Sequence, residues 1–79
     1  MDNMTTLDRV KVGKRFIVQG YIKRTALTDR LNDLGLTVNT AGTVLYVAPP
    51  GGTVCINFRG YSLSVKRRDL KNVCVKVVR

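Results

Sequence analysis

Arg30-Leu31-Asn32-Asp33-Leu34-Gly35-Leu36 reads as the end of a short helix with its stop signal attached. Leu27, Leu31 and Leu34 fall at i, i+4 and i+7, so they share one helical face. Thr28, Arg30, Asn32 and Asp33 point elsewhere and are expected to stay wet, while Leu31, Leu34 and Leu36 are expected in the core. Gly35 stands where a helix C-terminus wants positive φ, which glycine adopts without a Cβ clash. The helix is placed from about Ala26 to Leu34, with the hydroxyl of Thr25 or Thr28 as its N-cap. Everything around it reads as β-strand, so one lone helix in a β-rich chain narrows the fold sharply.

Upstream, Thr5 to Gly13 is an irregular lead-in to a strand over Lys14 to Ile22, rich in β-formers and interrupted at Gly20 by a bulge or bend. Downstream, Thr37-Val38-Asn39 makes a corner, which Asn39 suits because asparagine tolerates left-handed geometry. Thr40 to Ala48 is the next strand. Pro49-Pro50-Gly51-Gly52 ends it as a tight, stiff loop. Thr53 to Phe58 alternates, with Val54, Ile56 and Phe58 inward and Cys55 and Asn57 outward. Arg59-Gly60 turns the chain into Tyr61 to Val65, where Leu63 and Val65 face inward. Lys66 to Asn72 holds a helical turn anchored by Leu70, and Val73, Val75 and Val77 alternate against Cys74 and Lys76 in a final strand. The fold class is therefore mainly β: a small barrel of about five strands with one short helix inserted after the first strand.

A 79-residue chain makes one domain with a thin core and no room for a deep cleft, because a chain of this size buries only roughly 60% of its unfolded surface. No apolar run approaches the roughly 20 residues that span a bilayer. Met1-Asp2-Asn3-Met4-Thr5 lacks the basic and apolar regions of a secretory signal, so a cytoplasmic protein is the default. The outermost residues at each end are expected to fray. The net charge of +9 permits nucleic acid, anionic lipid or an acidic protein surface as partner and does not choose among them. Lys66-Arg67-Arg68 is the one local basic cluster. A single hairpin joins it to Arg59, so these side chains are expected near each other, as a contact edge or as a solvated edge that blocks strand association.

The residue menu for catalysis is nearly empty. There is no histidine, and Asp2, Asp8, Asp29, Asp33 and Asp69 are the only acids. The chain is read as not an enzyme. Pro49-Pro50-Gly51-Gly52 lacks the Gly-Lys-Ser/Thr and the following helix of a phosphate-binding loop; a rigid turn or a contact loop for a partner remains. With no tryptophan, an aromatic groove for polyproline is not expected. Cys55 and Cys74 cannot supply the four ligands of a structural zinc site, and a disulfide between them is disfavoured in a reducing cytosol. Both fall on the outward parity of their strands, which leaves them as weak candidate ligands for a soft metal or as oxidant-responsive thiols.

Several pieces in order, Leu7-x-x-Val10-x-x-Gly13, Arg30-Leu31-x-x-Leu34-Gly35-Leu36, Thr40, Ala48-Pro49-Pro50-Gly51-Gly52 and Gly60-Tyr61-Ser62-Leu63-Ser64-Val65-Lys66-Arg67, resemble the FeoA family of bacterial ferrous iron transport. The resemblance runs from Leu7 to about Val78. It implies an SH3-like barrel with an extra helix between the first two strands. It also implies a partner: a large membrane ferrous iron transporter with an attached GTPase domain, which this protein would meet from the cytoplasm at the inner face of the membrane. Three departures stand out. Val38-Asn39 replaces the family's usual glycine. Gly42 lies where larger residues are usual and is expected to loosen that edge. The motif also contains no invariant metal-ligand set, so the resemblance implies a place in iron uptake without an iron site here.

The expected function is thus a non-enzymatic accessory protein of ferrous iron uptake that binds the transporter's cytosolic part and modulates its GTPase or its assembly. The expected contacts are the exposed helix face (Arg30, Asn32, Asp33), the loop at Pro49 and Pro50, and the edge with Arg59, Lys66 and Arg67. An arginine inserted into the GTPase is the sharpest form of that idea. No cofactor is required; weak binding of Fe2+ or another transition metal at Cys55 and Cys74 is the alternative, in an iron-responsive module. A small basic nucleic-acid-binding barrel is the other: the charge favours it, and the scarcity of aromatic residues for base stacking counts against it. A related domain ends the iron-dependent repressors, but this chain has no room for their DNA-binding domain. Oligomeric state stays open.

Overall fold

The computed structural model describes residues 4–78. The elements run β1 (Met4–Thr6), a 3-10 turn (Leu7–Arg9), β2 (Arg15–Tyr21), α1 (Ala26–Asp33), β3 (Ala41–Ala48), β4 (Thr53–Phe58), β5 (Tyr61–Lys66), α2 (Arg67–Leu70) and β6 (Val73–Val78). All strand pairs are antiparallel, and the sheet order is β1-β6-β2-β3-β4-β5. The expected fraying of the ends concerns residues that lie outside the described ones.

There are six strands among the described residues, one more than the sequence suggested. The extra one is β1, inside the segment read as an irregular lead-in. It is three residues long, Met4-Thr5-Thr6, too short to display alternation, and it forms because the far end of the chain offers β6 as a template: Thr5 pairs with Val75 and Thr6 with Cys74.

The sheet curls around a core in which Leu7, Phe16, Val18, Leu36, Val44, Ile56, Leu70, Val73 and Val75 are fully buried. Two bulges shape the curl, because an extra residue on one strand bends it and increases its twist. One falls between Val18 and Gly20, where glycine marked it. The other falls between Val44 and Tyr46, without a glycine to announce it. At the β4–β5 turn, Arg59 and Gly60 both take positive φ, 51° and 81°, as a two-residue type I′ turn requires.

Helix α1 packs against the core through Leu31 and, partly, Leu27. Its start is a reciprocal capping box: the Thr28 amide donates to the Thr25 hydroxyl at 3.1 Å, and the Thr25 amide donates to the Thr28 hydroxyl at 2.7 Å. Its end is a Schellman motif. The Gly35 amide donates to the Asn32 carbonyl and the Leu36 amide to the Leu31 carbonyl, both at 3.0 Å, with Gly35 at φ 107°. The hydrophobic contact that accompanies this motif joins Leu31 and Leu36, both buried.

Two expectations about this helix are overturned. Thr28 is fully buried, and Leu34 is 39% exposed. The capping box draws the Thr28 hydroxyl inward, where it is satisfied by Thr25, so Thr28 and Leu31 form the core face. The Schellman turn then carries Leu36 into the place expected of Leu34. The corner that follows is held by Thr40, whose buried hydroxyl donates to the Gly35 carbonyl at 3.0 Å, and by Asn39 at φ 72°, as expected. The Tyr21 hydroxyl donates to the Leu36 carbonyl and ties β2 to the same corner.

Gly42 also corrects an expectation. Strand β3 lies between β2 and β4, so Gly42 is not on an edge. A Cβ there would stand 2.5 Å from Phe16 Cζ and 2.8 Å from the Asn57 carbonyl oxygen. The position is not loose; the Phe16 ring occupies it.

Candidate functional site

A groove of about 390 Å³ runs between helix α1 and strand β5. One wall is Leu27, Arg30, Leu31 and Leu34, the i, i+3, i+4, i+7 face of α1. The other is Leu63, Ser64, Val65 and Lys66 of β5, and Arg68 and Asp69 of α2 close one end. Leu27 and Leu63 pack partly against the core, and Leu34 is exposed. The floor is therefore apolar and the rim carries Arg30, Lys66 and Arg68 against one carboxylate, Asp69.

Of the expected contact residues, the groove gathers Arg30 and Lys66. Asn32, half-buried, and Asp33, exposed, sit on α1 outside its lining. Pro49 and Pro50 are exposed, joined by a cis peptide bond, in the loop that ends β3. That loop meets the basic cluster at a second, shallower hollow lined by Asp8, Gly52, Lys66, Arg67 and Arg68.

Arg59 and the basic cluster do not form one edge. They lie at opposite ends of β5, whose length at ordinary strand rise is about 17 Å. Each arginine is also engaged. Arg59 Nε donates to the Gly35 carbonyl at 3.1 Å, tying the hairpin turn to the end of α1. Arg67 Nε donates to the Gly51 carbonyl at 3.2 Å and its Nη1 donates to the Asp8 carbonyl at 3.0 Å. Arg67 thus fastens the β3–β4 loop to the 3-10 turn. Arg68, by contrast, lines both the groove and the second hollow. Among the described residues the one ion pair is Arg24 with Asp29, at 2.8 Å on the surface, a type of pair that contributes little.

The two cysteines are corrected as well. Both are free thiols, and Cys55 is 5% exposed. The bulge in β3 sets Tyr46 directly opposite Cys55, with Ser64 on its other side, so an outward-facing position is covered by its neighbours. The neighbouring Cys55 thiol holds the Tyr46 hydroxyl above the ordinary tyrosine range. Cys74 is half-buried on β6, and β2 and β3 separate β6 from β4. Three strand spacings are on the order of 14 Å, so the thiols do not converge on one ion. Among the described residues no group of three or more His, Cys, Asp or Glu is arranged to hold a metal.

The sequence reading missed Leu27, Leu34, Leu63 and Arg68 as groove residues. The signal was present in part: Leu27 and Leu34 were placed on one helical face and Arg68 in the basic cluster. What was missing was the knowledge that β5 ends the sheet beside that helix.

A curled antiparallel sheet with a helix inserted between its two central strands, β2 and β3, defines a small SH3-like barrel. A sequence profile of the FeoA domain matches residues 5–77, and the chain belongs to the FeoA family. It is similar to the FeoA-like protein of Clostridium acetobutylicum at 25% identity and TM-score 0.88, covering 100% of this chain and 92% of that one. It is similar to FeoA of Chlorobium tepidum at 29% identity and TM-score 0.87, covering 95% and 71%. FeoA of Stenotrophomonas maltophilia, described as a prokaryotic SH3 domain protein and complexed with zinc, shares the fold at 19% identity and TM-score 0.79, covering 90% and 88%. A comparison with curated protein sequences returns no match. The family is linked to ferrous iron transport and is not a known enzyme family. No helix among the described residues is long and apolar enough to cross a membrane.

Proposed function

We propose that this chain is a non-enzymatic accessory module of ferrous iron uptake that binds the cytosolic part of a membrane ferrous iron transporter and alters its assembly or the rate of its GTPase domain. The observation that carries this reading is the groove between α1 and β5. It combines an apolar floor with rim cations that have no ion-pair partner among the described residues, the anatomy of a protein-contact surface. Membership of a family linked to ferrous iron transport supplies the process. In this reading the protein acts in the cytoplasm, is drawn to the inner face of the membrane by its partner, and needs no cofactor of its own. Arg59 and Arg67 act as internal ties, and contact falls to Arg30, Lys66 and Arg68.

The test is a titration of the transporter's GTPase domain with this protein at about 0.15 M salt, where exposed charges are screened beyond about 8 Å, with a random RNA as control ligand. Saturable binding of the domain, with weak RNA binding that fades as salt rises, is the expected result. Tight RNA binding with no contact to the domain would overturn it.

A further inference from the structure

We propose that the groove receives an extended, acidic segment of a partner protein, which adds to the free edge of β5 as a further strand. The inference rests on the reading of this chain as a protein-binding module and specifies how the module binds.

The first observation is the lining itself. Leu63, Ser64, Val65 and Lys66 are consecutive, and all four border the groove. Side chains of a strand alternate between faces, so a hollow on one face would be lined by every second residue. Four in a row means that the groove runs along the strand's edge. The second observation is that β5 is the last strand of the sheet among the described residues, paired to β4 alone. Counting from the two-residue turn, Phe58 with Tyr61, Ile56 with Leu63 and Val54 with Val65 are the hydrogen-bonded pairs. The amides and carbonyls of Ser62, Ser64 and Lys66 therefore turn away from β4. Small serines at two of these three positions leave the edge approachable, where bulky or charged residues would guard it.

The third observation is charge. Arg30, Lys66 and Arg68 stand at the rim, and Asp69 is the one carboxylate among the lining residues. The chain as a whole carries +9. Edge pairing supplies affinity through the backbone, and the side chains of the incoming strand find Leu27, Leu34 and Leu63 at the floor and Arg30, Lys66 and Arg68 at the rim. A nucleic acid strand would use neither the edge amides nor the leucines, and the groove offers no aromatic ring on which bases could stack.

The experiment uses the isotope-labelled chain and three capped hexapeptides: alternating valine and glutamate, the same with lysine for glutamate, and the first with its backbone methylated on alternate nitrogens. Amide exchange and shift changes are followed by NMR up to millimolar peptide. The valine–glutamate peptide is expected to slow exchange at Ser62, Ser64 and Lys66, and Leu34→Glu and Arg68→Glu are each expected to weaken it about tenfold. Both substituted residues are exposed, so the fold is retained. No binding, equal binding of the lysine or methylated peptide, or shifts elsewhere would overturn the proposal. Protection of the same amides that grows with protein concentration in the absence of peptide would overturn it too, assigning the edge to a second copy. The same variants are titrated with the transporter's GTPase domain. If both bind the domain as the wild type does, the edge is wrong while the function stands. If the wild type binds the acidic peptide but not the domain, the edge stands while the function fails.

Discussion

The ring of Phe16 lies where a side chain at position 42 would have to go: a Cβ built on Gly42 meets Phe16 Cζ at 2.5 Å. The two residues are cross-strand partners in β2 and β3, so the contact is built into the sheet register. Phe16 is fully buried, and the Asn57 carbonyl oxygen stands 2.8 Å from the same Cβ. Overpacking of this kind costs about 1–3 kcal/mol, and Gly42→Ala is expected to lower the urea midpoint accordingly. Pairing it with Phe16→Leu should give a double variant less destabilised than the sum of the two singles. An unchanged midpoint for Gly42→Ala would refute the close contact.

The capping box predicts a local effect. Thr25→Ala removes the acceptor for the Thr28 amide, and loss of such a cap costs about 1 kcal/mol. Hydrogen exchange at Thr28 and Asp29 is expected to accelerate more than exchange in β4. Uniform acceleration everywhere would mean that the cap has no separate local role.

Arg67 and Arg68 are adjacent and should behave differently. Arg67 donates to two backbone carbonyls, those of Gly51 and Asp8. Arg67→Ala is expected to destabilise the fold by about 1 kcal/mol, read by thermal unfolding. Arg68→Ala leaves no backbone acceptor unpaired and is expected to leave stability unchanged while reducing binding to the transporter's GTPase domain. The opposite pattern would exchange the roles assigned to them.

Tyr21 sets a pH dependence. Burial pushes its hydroxyl above the ordinary tyrosine range, with the nearby Arg24 cation partly opposing. A group whose folded pKa is raised contributes stability that is present in full below its unfolded pKa and is lost as pH climbs through that value to the folded one. Stability measured in urea is therefore expected to fall above about pH 10, and to fall less steeply in Tyr21→Phe. Parallel pH profiles for the two proteins would exclude the tyrosine as a source.

The cysteines offer a kinetic check. Cys74 is half-buried and Cys55 lies beneath Tyr46 and Ser64, so access separates them. A chromogenic disulfide reagent is expected to modify Cys74 first in the native protein and both thiols once it is unfolded. Equal native rates would contradict the covering of Cys55.

Local order carried most of the fold. The i, i+4, i+7 leucines and Gly35 placed the helix to within a residue, because capping and positive-φ requirements act over a few neighbours. The alternation of Val54, Ile56 and Phe58 and the Arg59-Gly60 turn placed β4 and its hairpin for the same reason. Strand β1 was invisible because three residues carry no period and depend on β6 across the whole chain.

By itself the sequence determined the β-rich class, the inserted helix, the hairpin turns and the poverty of catalytic groups, since each follows from side-chain chemistry acting on adjacent backbone. Tertiary structure alone decided which strand ends the sheet, that Leu34 is exposed and Thr28 buried, that Cys55 is covered, and that Arg59 and Arg67 are spent on distant carbonyls. It also set α1 beside the edge of β5 to make a groove. These are relations between segments far apart in the chain, set by how the sheet curls and where the helix packs, and no local pattern of residues encodes them in readable form.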